Sequence, residues 1–282
     1  MISTPVKVGI IDLYNKEVNQ GMRCILDILN SFDGKVNGVQ VDYRHYDLRA
    51  DGEIPGMEYD IYISSGGPGS PFDGEGSEWE KDYFNLLDNI MSHNQNNESG
   101  KKYVFFICHS FQMMVRYFKL ADIVERQNRA FGIFPIYKTP EGREDAIFKS
   151  LPDPFYGADF REWQVLNPDR KVFDELGAEL LCIERVRERY PDPSQRALMA
   201  IRISNEIVGT QFHPEADPES MVFHFKDPER KKQVIDEFDE RTYYDMINHL
   251  ENPDNITLTH NTVLPRFLTN AIDELRFHES FV

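Results

Sequence analysis

The sequence predicts an α/β fold: a mostly parallel central sheet flanked by helices, carried in a single domain over residues 1–282 with a helical C-terminal extension. Three observations lead there. Apolar, β-branched runs alternate with helical stripes from Val6 to Leu120, as in a parallel sheet covered on both faces. From about Arg129 the texture changes to strand and hairpin signals. From Glu229 apolar residues again recur at near-helical spacing. No Gly/Ser or Pro-rich linker and no internal repeat divides the chain.

Val6 to Leu13 reads as a buried strand, and Met22, Ile25, Leu26, Ile28 and Leu29 mark a helix with Cys24 beside the stripe. Val39 to Tyr43 alternates as a half-buried strand does. Tyr59 to Ile63 is a third strand, ending in the glycine-rich turn Ser64 to Pro71. A helix around Trp79 to Met91 precedes the polar loop His93 to Lys102. Tyr103-Val104-Phe105-Phe106-Ile107 is the densest apolar run, and Met113, Met114, Tyr117 and Leu120 form the stripe of the helix after it. Strands follow at Phe131–Tyr137, Phe155–Val165 and Ala178–Ile183, then as the pair Ala197–Ile203 and Glu206–Phe212 around Ser204-Asn205. Glu229 to Leu250 places Val234, Ile235, Phe238, Met246 and Ile247 on a helical stripe, and Val263 to Phe277 places Leu264, Phe267, Leu268, Ile272 and Leu275 on another. These charged C-terminal helices read as solvated amphipathic helices.

The formal charge of −17 opposes nucleic acid and anionic membranes as partners, because phosphate binding wants clustered Lys and Arg. It is the charge of a protein kept soluble by excess Asp and Glu. No uncharged apolar stretch approaches spanning length, and the N-terminus lacks the layout of a secretion signal. Three cysteines, Cys24, Cys108 and Cys182, are odd in number and too few for a disulfide framework, which fits a reducing cytoplasm. Ser65 to Pro71 is neither a Walker loop nor a Gly-x-Gly-x-x-Gly fingerprint, so no nucleotide, cofactor or metal is expected.

The chemistry concentrates in two places. Cys108 ends the buried strand at a strand-to-helix turn, and Gly209-Thr210-Gln211-Phe212-His213-Pro214-Glu215 comes much later. Cysteine attacks as the thiolate, which a neighbouring imidazole and a helix N-terminus both favour. His213 is the candidate base. Pro214 holds it extended, so Glu215 at i+2 shares its face and can fix its tautomer. A side chain adjacent to the nucleophile diverges at such a turn, so His109 is assigned no side-chain role, only a backbone N–H where an oxyanion forms. Gly67 supplies the second such N–H, since glycines let backbone approach a ligand closely. Cys24 and Cys182 read as core thiols. In Asp159-Phe160-Arg161-Glu162-Trp163 the tryptophan and arginine could line a pocket, but core packing for Phe160 and Trp163 with a surface ion pair is the simpler reading, and no site role is assigned.

Together, Ser65 to Gly69, Cys108 to Gln112 and Gly209 to Glu215 resemble the class I (triad-type) glutamine amidotransferase family, most closely its small GMP-synthase-like glutaminase domains. The resemblance runs from the first strand to about Glu215. It implies a flavodoxin-like sheet with Cys108 as nucleophile, His213 as base and Glu215 as its orienter, and with Gly66 and Gln112 shaping the glutamine pocket. It also implies a glutamine or γ-glutamyl small molecule as substrate and, for one candidate ammonia acceptor, a separate synthase subunit. The chain departs from the family's Gly-x-Cys-x-Gly, with Phe106 and Ser110 in place of the glycines. A helical insertion over about 218–261 exceeds what such a domain needs. Two readings follow: an amidohydrolase working through a γ-glutamyl thioester, or a non-catalytic binding protein whose pocket is narrowed by Phe106 on the strand face of Cys108.

Overall fold

The computed structural model describes residues 5–32, 38–184, 196–237 and 254–279, and between the last two residues 239–241, 243, 244 and 247. Among the described residues nine strands form one sheet: β1 (Val6–Asp12), β2 (Val41–Asp47), β3 (Ile61–Ser64), β4 (Tyr103–Ile107), β5 (Ala121–Lys138), β6 (Phe155–Pro168), β7 (Glu179–Glu184), β8 (Leu198–Arg202) and β9 (Ile207–Thr210). Their spatial order is β2-β1-β3-β4-β9-β8-β7-β5-β6. The half from β2 to β9 is parallel, and the pairings from β9 through β8, β7 and β5 to β6 are antiparallel.

The parallel half follows from its sequence. All five side chains of β4 are buried, which is why the run reads as continuously apolar. Tyr103, Phe105 and Ile107 join the core on one face, with α1 (Gly21–Phe32) and α10 (Val263–Glu279). Val104 and Phe106 join the core on the other, with α3 (Glu78–Asn96) and α4 (His109–Phe118). The last helix is amphipathic, as its pattern requires, but its apolar face completes the core: Phe267 packs on Phe105 with ring centroids 5.0 Å apart.

β5 begins at Ala121, earlier than the change of texture near Arg129, and its register with β6 shifts between Glu125 and Ala130. Three short helices went unexpected: α2 (Leu48–Asp51), α5 (Pro140–Glu144) and α6 (Arg170–Leu176), each capped by a side chain, from Asp47, Thr139 and Asp169. Three more, α7 (Pro218–Lys226), α8 (Pro228–Glu237) and α9 (Asp254–His260), lie in the later part of the chain. Phe131, Ala158, Met221, Phe225, Val234 and Ile256 form a third apolar cluster between them and the β5–β6 pair. Phe238 and Met246 of the expected stripe lie outside the described residues.

Two residues fix how β4 passes into α4. Ser110 is fully buried; its hydroxyl donates to the carbonyl of Ser64 at 2.7 Å and accepts from the Ile107 N–H at 2.8 Å. It thereby ties the end of β3 to the end of β4. His109 opens α4 at 2% exposure. Burial first, then the charges of Arg49 and Arg116, push its imidazole down to about 3, so the ring is neutral.

Ser110→Ala leaves the buried Ile107 N–H without its acceptor and is expected to cost about 1–3 kcal/mol in urea unfolding. A loss below about 0.5 kcal/mol, the level of an ordinary surface change, would remove Ser110 from this role. His109 has a folded value below its unfolded one, so its neutral form adds stability above pH of about 6.5 that drains away as pH falls toward 3. Between pH 7 and pH 4 the wild type should therefore lose up to about 3 kcal/mol more than His109→Gln. Parallel stability curves for the two proteins would refute the assignment.

Candidate active site

Strands β3, β4 and β9 are neighbours, so the segments leaving their C-terminal ends converge: the glycine-rich loop, the Cys108 turn and the strip leading to His213. Cys108 stands alone between strand and helix at φ 51°, ψ −99°, a left-handed conformation that a side chain adopts at a cost. Its N–H donates to Thr210 O at 2.8 Å, and its carbonyl accepts from Gln112 N–H at 3.1 Å. The turn is that of a nucleophile elbow, with the thiol lifted to the mouth of a helix. Cys108 itself is 4% exposed.

His213 comes to this thiol from β9 by way of Phe212. Its N–H donates to Ala158 O on β6 at 2.8 Å, which sets the backbone. Its Nδ1 is 2.7 Å from Glu215 Oε1, and the charge of Cys108 also acts on its ring. Burial lowers the imidazole pKa, but the charges of Glu215 and Cys108, with the bond to Glu215, outweigh it and hold the group well above its usual range. Glu215 is fully buried, and the His260 Nδ1–H of α9 donates to its carbonyl at 2.8 Å. A thiol, an imidazole and a carboxylate in series are the parts that nucleophilic acyl transfer uses.

Gly66 and Gly67 are required by close approach. A Cβ on Gly66 would lie 2.7 Å from His213 Cε1, and one on Gly67 would lie 2.5 Å from the carbonyl oxygen of Leu13. Gly66 therefore packs on the His213 ring, whereas Gly67 lines the cavity at the thiol. That cavity, of about 180 Å³, is bounded by Gly67, Cys108, His109, Gln112, Arg161 and Trp163, among others. A second, of about 450 Å³, has His213, Glu215, Tyr14 and Cys24 in its wall. The two share Gly67, Pro68, Arg129 and Phe160.

Other residues complete the site. Gln112 donates through Nε2 to Gln211 Oε1 and to Trp163 O, each at 3.1 Å, and Gln211 Nε2 stands 3.8 Å from Cys108 Sγ. Gln112 thus reaches the thiol through a buried amide of the Gly209–Glu215 strip. The Phe160 carbonyl lies 3.6 Å from Cys108 Sγ and the Phe160 ring 5.6 Å from that of His213. The ion pair of Arg161 is buried rather than on the surface. Its side chain is 1% exposed, bonded to Asp159 at 3.0 Å and Glu184 at 3.2 Å, and its Nη1 has no hydrogen-bond partner. Glu162 pairs instead with Arg129. The reversal has a topological cause: β6 lies beside β5 in the sheet but reaches over to bridge His213, so Arg161 faces the site.

Phe106 also requires correction. Strand alternation alone would set it on the face of Cys108, but the positive φ at Cys108 ends the alternation. Phe106 packs with Val104, Phe111 and Met114 in the core of the α3–α4 face, and lines neither cavity. Cys24 and Cys182 are buried as expected. Burial, then Asp217 and Glu215, push the Cys24 thiol up to about 12, and burial holds Cys182 well above its usual range. Among the described residues no helix is long and apolar enough to cross a membrane, and no three His, Cys, Asp or Glu side chains group as metal ligands.

Comparison with known proteins sets this geometry in context. No curated protein matches the chain. In solved structures, a glutamine amidotransferase from Thermotoga maritima superposes with a TM-score of 0.64 at 18% identity, covering 96% of this chain and all of that one. A putative GMP synthase subunit from Thermoplasma acidophilum gives 0.51 at 18% identity over 76% of this chain and 86% of its own. The glutaminase domain of a Trypanosoma brucei CTPS, with bound acivicin, gives 0.54 at 12% identity over 82% and 92%. At these identities the likeness is one of fold. The family model for glutamine amidotransferase class-I matches residues 24–225, most of the sequence, and the chain belongs to that family.

Proposed function

We propose that the protein hydrolyses the side-chain amide of glutamine or of a γ-glutamyl compound, with Cys108 as nucleophile, His213 as base and Glu215 as the group that orients it. The observation that carries this reading is an imidazole whose Nδ1 lies 2.7 Å from the buried carboxylate of Glu215 and whose charged form the neighbouring Cys108 favours. In the first step the thiolate attacks the amide carbon, and the N–H groups of Gly67 and His109 receive the developing oxyanion. The imidazolium protonates the departing nitrogen, which leaves a γ-glutamyl thioester on Cys108. Water, deprotonated by His213, then attacks the thioester and releases glutamate. Glu215 stabilises the imidazolium through both steps.

Gly66 holds the ring in place, and Gln112 acts on the thiol through Gln211. A buried guanidinium, Arg161, interacts with the Cys108 charge and lines the same cavity. The T. brucei neighbour, described as a glutaminase domain, agrees with the substrate class. The ammonia acceptor, on this reading, is a separate synthase subunit or simply water.

Ammonia release from glutamine by wild type is expected to fall at least about 10³-fold in Cys108→Ala, a loss typical of removing a covalent nucleophile. A glutamine-analogue electrophile should label Cys108 ahead of Cys24 and Cys182, whose thiols are held protonated by burial. Equal ammonia release from both proteins, or labelling spread evenly over three cysteines, would end the nucleophile assignment.

A further inference from the structure

The two cavities meet where the thiol and the imidazole meet, and they differ in size and charge. The one at Cys108 holds about 180 Å³, suited to a small acyl group. The one on the far side of Gly67 and Phe160 holds about 450 Å³ and has His213 and Glu215 in its wall. A leaving group that takes its proton from His213 departs on the His213 side. If that group were ammonia, about the size of water, roughly 10–15 Å³ of such space would suffice. The chamber has room for an extended amine.

Its charges define what kind. Glu17 and Glu229 are exposed side chains in its wall. Arg129, the cation of that wall, is paired with Glu162 at 3.4 Å. Asp227 accepts from the Glu229 N–H at 2.8 Å, at the start of α8. Deeper in the wall, Glu215 is fully buried and engaged by His213 at 2.7 Å. A chamber of this size with the exposed carboxylates of Glu17 and Glu229 in its wall suits a cationic occupant.

Resting on the hydrolase reading above, we propose that the substrate is a γ-glutamyl amide of a diamine, with the glutamyl carbonyl at Cys108 and the distal ammonium in the second chamber toward Glu17 and Glu229. The S–C bond forms as the C–N bond breaks, and the amide nitrogen takes the His213 proton to leave as the free diamine. Water gives a proton back to His213 as it cleaves the thioester. The sum is amide plus water to glutamate plus diamine.

The test compares four substrates with the wild-type protein: glutamine, and γ-glutamyl amides of 1,4-diaminobutane, n-butylamine and 4-aminobutanoate. The diamine conjugate should exceed glutamine and both other conjugates by at least about tenfold in kcat/KM. The double substitution Glu17→Gln/Glu229→Gln, on exposed side chains, should bring it down to the level of the butylamine conjugate. Preference for glutamine or for the anionic conjugate, with Cys108 still labelled by a glutamine-analogue electrophile, would overturn the diamine assignment and leave the hydrolase reading standing. No cleavage of any of the four, together with an unlabelled Cys108, would bring down the hydrolase reading and this proposal with it.

Discussion

The turn at Cys108 is the constraint on which the site depends. Holding a non-glycine residue at φ 51° costs on the order of 1–3 kcal/mol, and only surroundings that over-determine the backbone keep it there. Here they do. The Cys108 N–H is held by Thr210 of β9, its carbonyl by Gln112 of α4, and the next turn of backbone by the Ser110 hydroxyl pinned to Ser64 of β3. The same three strands deliver the glycine loop and the histidine strip, so the hydrogen bonds that enforce the strain also register the site.

Two histidines, one beside this thiol in sequence and one a whole strand away, are driven in opposite directions. His109 is buried beside two arginines and stays neutral. His213 is equally shielded from water, but a carboxylate and a thiol flank its ring and favour the imidazolium. Adjacency in sequence would have favoured His109 as the base. The direction of the side chain at a strand-to-helix turn and the charges around it favour His213 as the base of the proposed reaction.

Much of this was legible in the chain. The parallel half was readable because strands buried on both faces need runs such as Val104-Phe105-Phe106-Ile107, which leave little ambiguity. Cys108, His213, Glu215 and the two glycines stood out because turn chemistry and side-chain spacing are local properties. Gln211 and His260 did not, because their roles arise from partners that lie 45 or more residues away. Phe106 misled for a related reason: alternation is a rule for strands, and the strand ends one residue before the cysteine. The short α6 had its signals in view, Asp169 before it and Gly177 after it at φ 65°, but seven residues carry too little periodicity to announce a helix.

The family match stops at residue 225, yet the molecule does not close there. His260 grips the carbonyl of Glu215, Thr259 donates to Tyr156 O on β6 at 2.5 Å, and Phe267 covers Phe105 of β4. What looks like an appendage is thus part of the enclosure, fastened to the acid from behind and laid across the strand that ends at the sulfur. A chain trimmed at the boundary of sequence similarity would bare the back of β4 and unmoor the carboxylate. Here the unit recognised by likeness and the unit that holds its shape are different lengths of polypeptide.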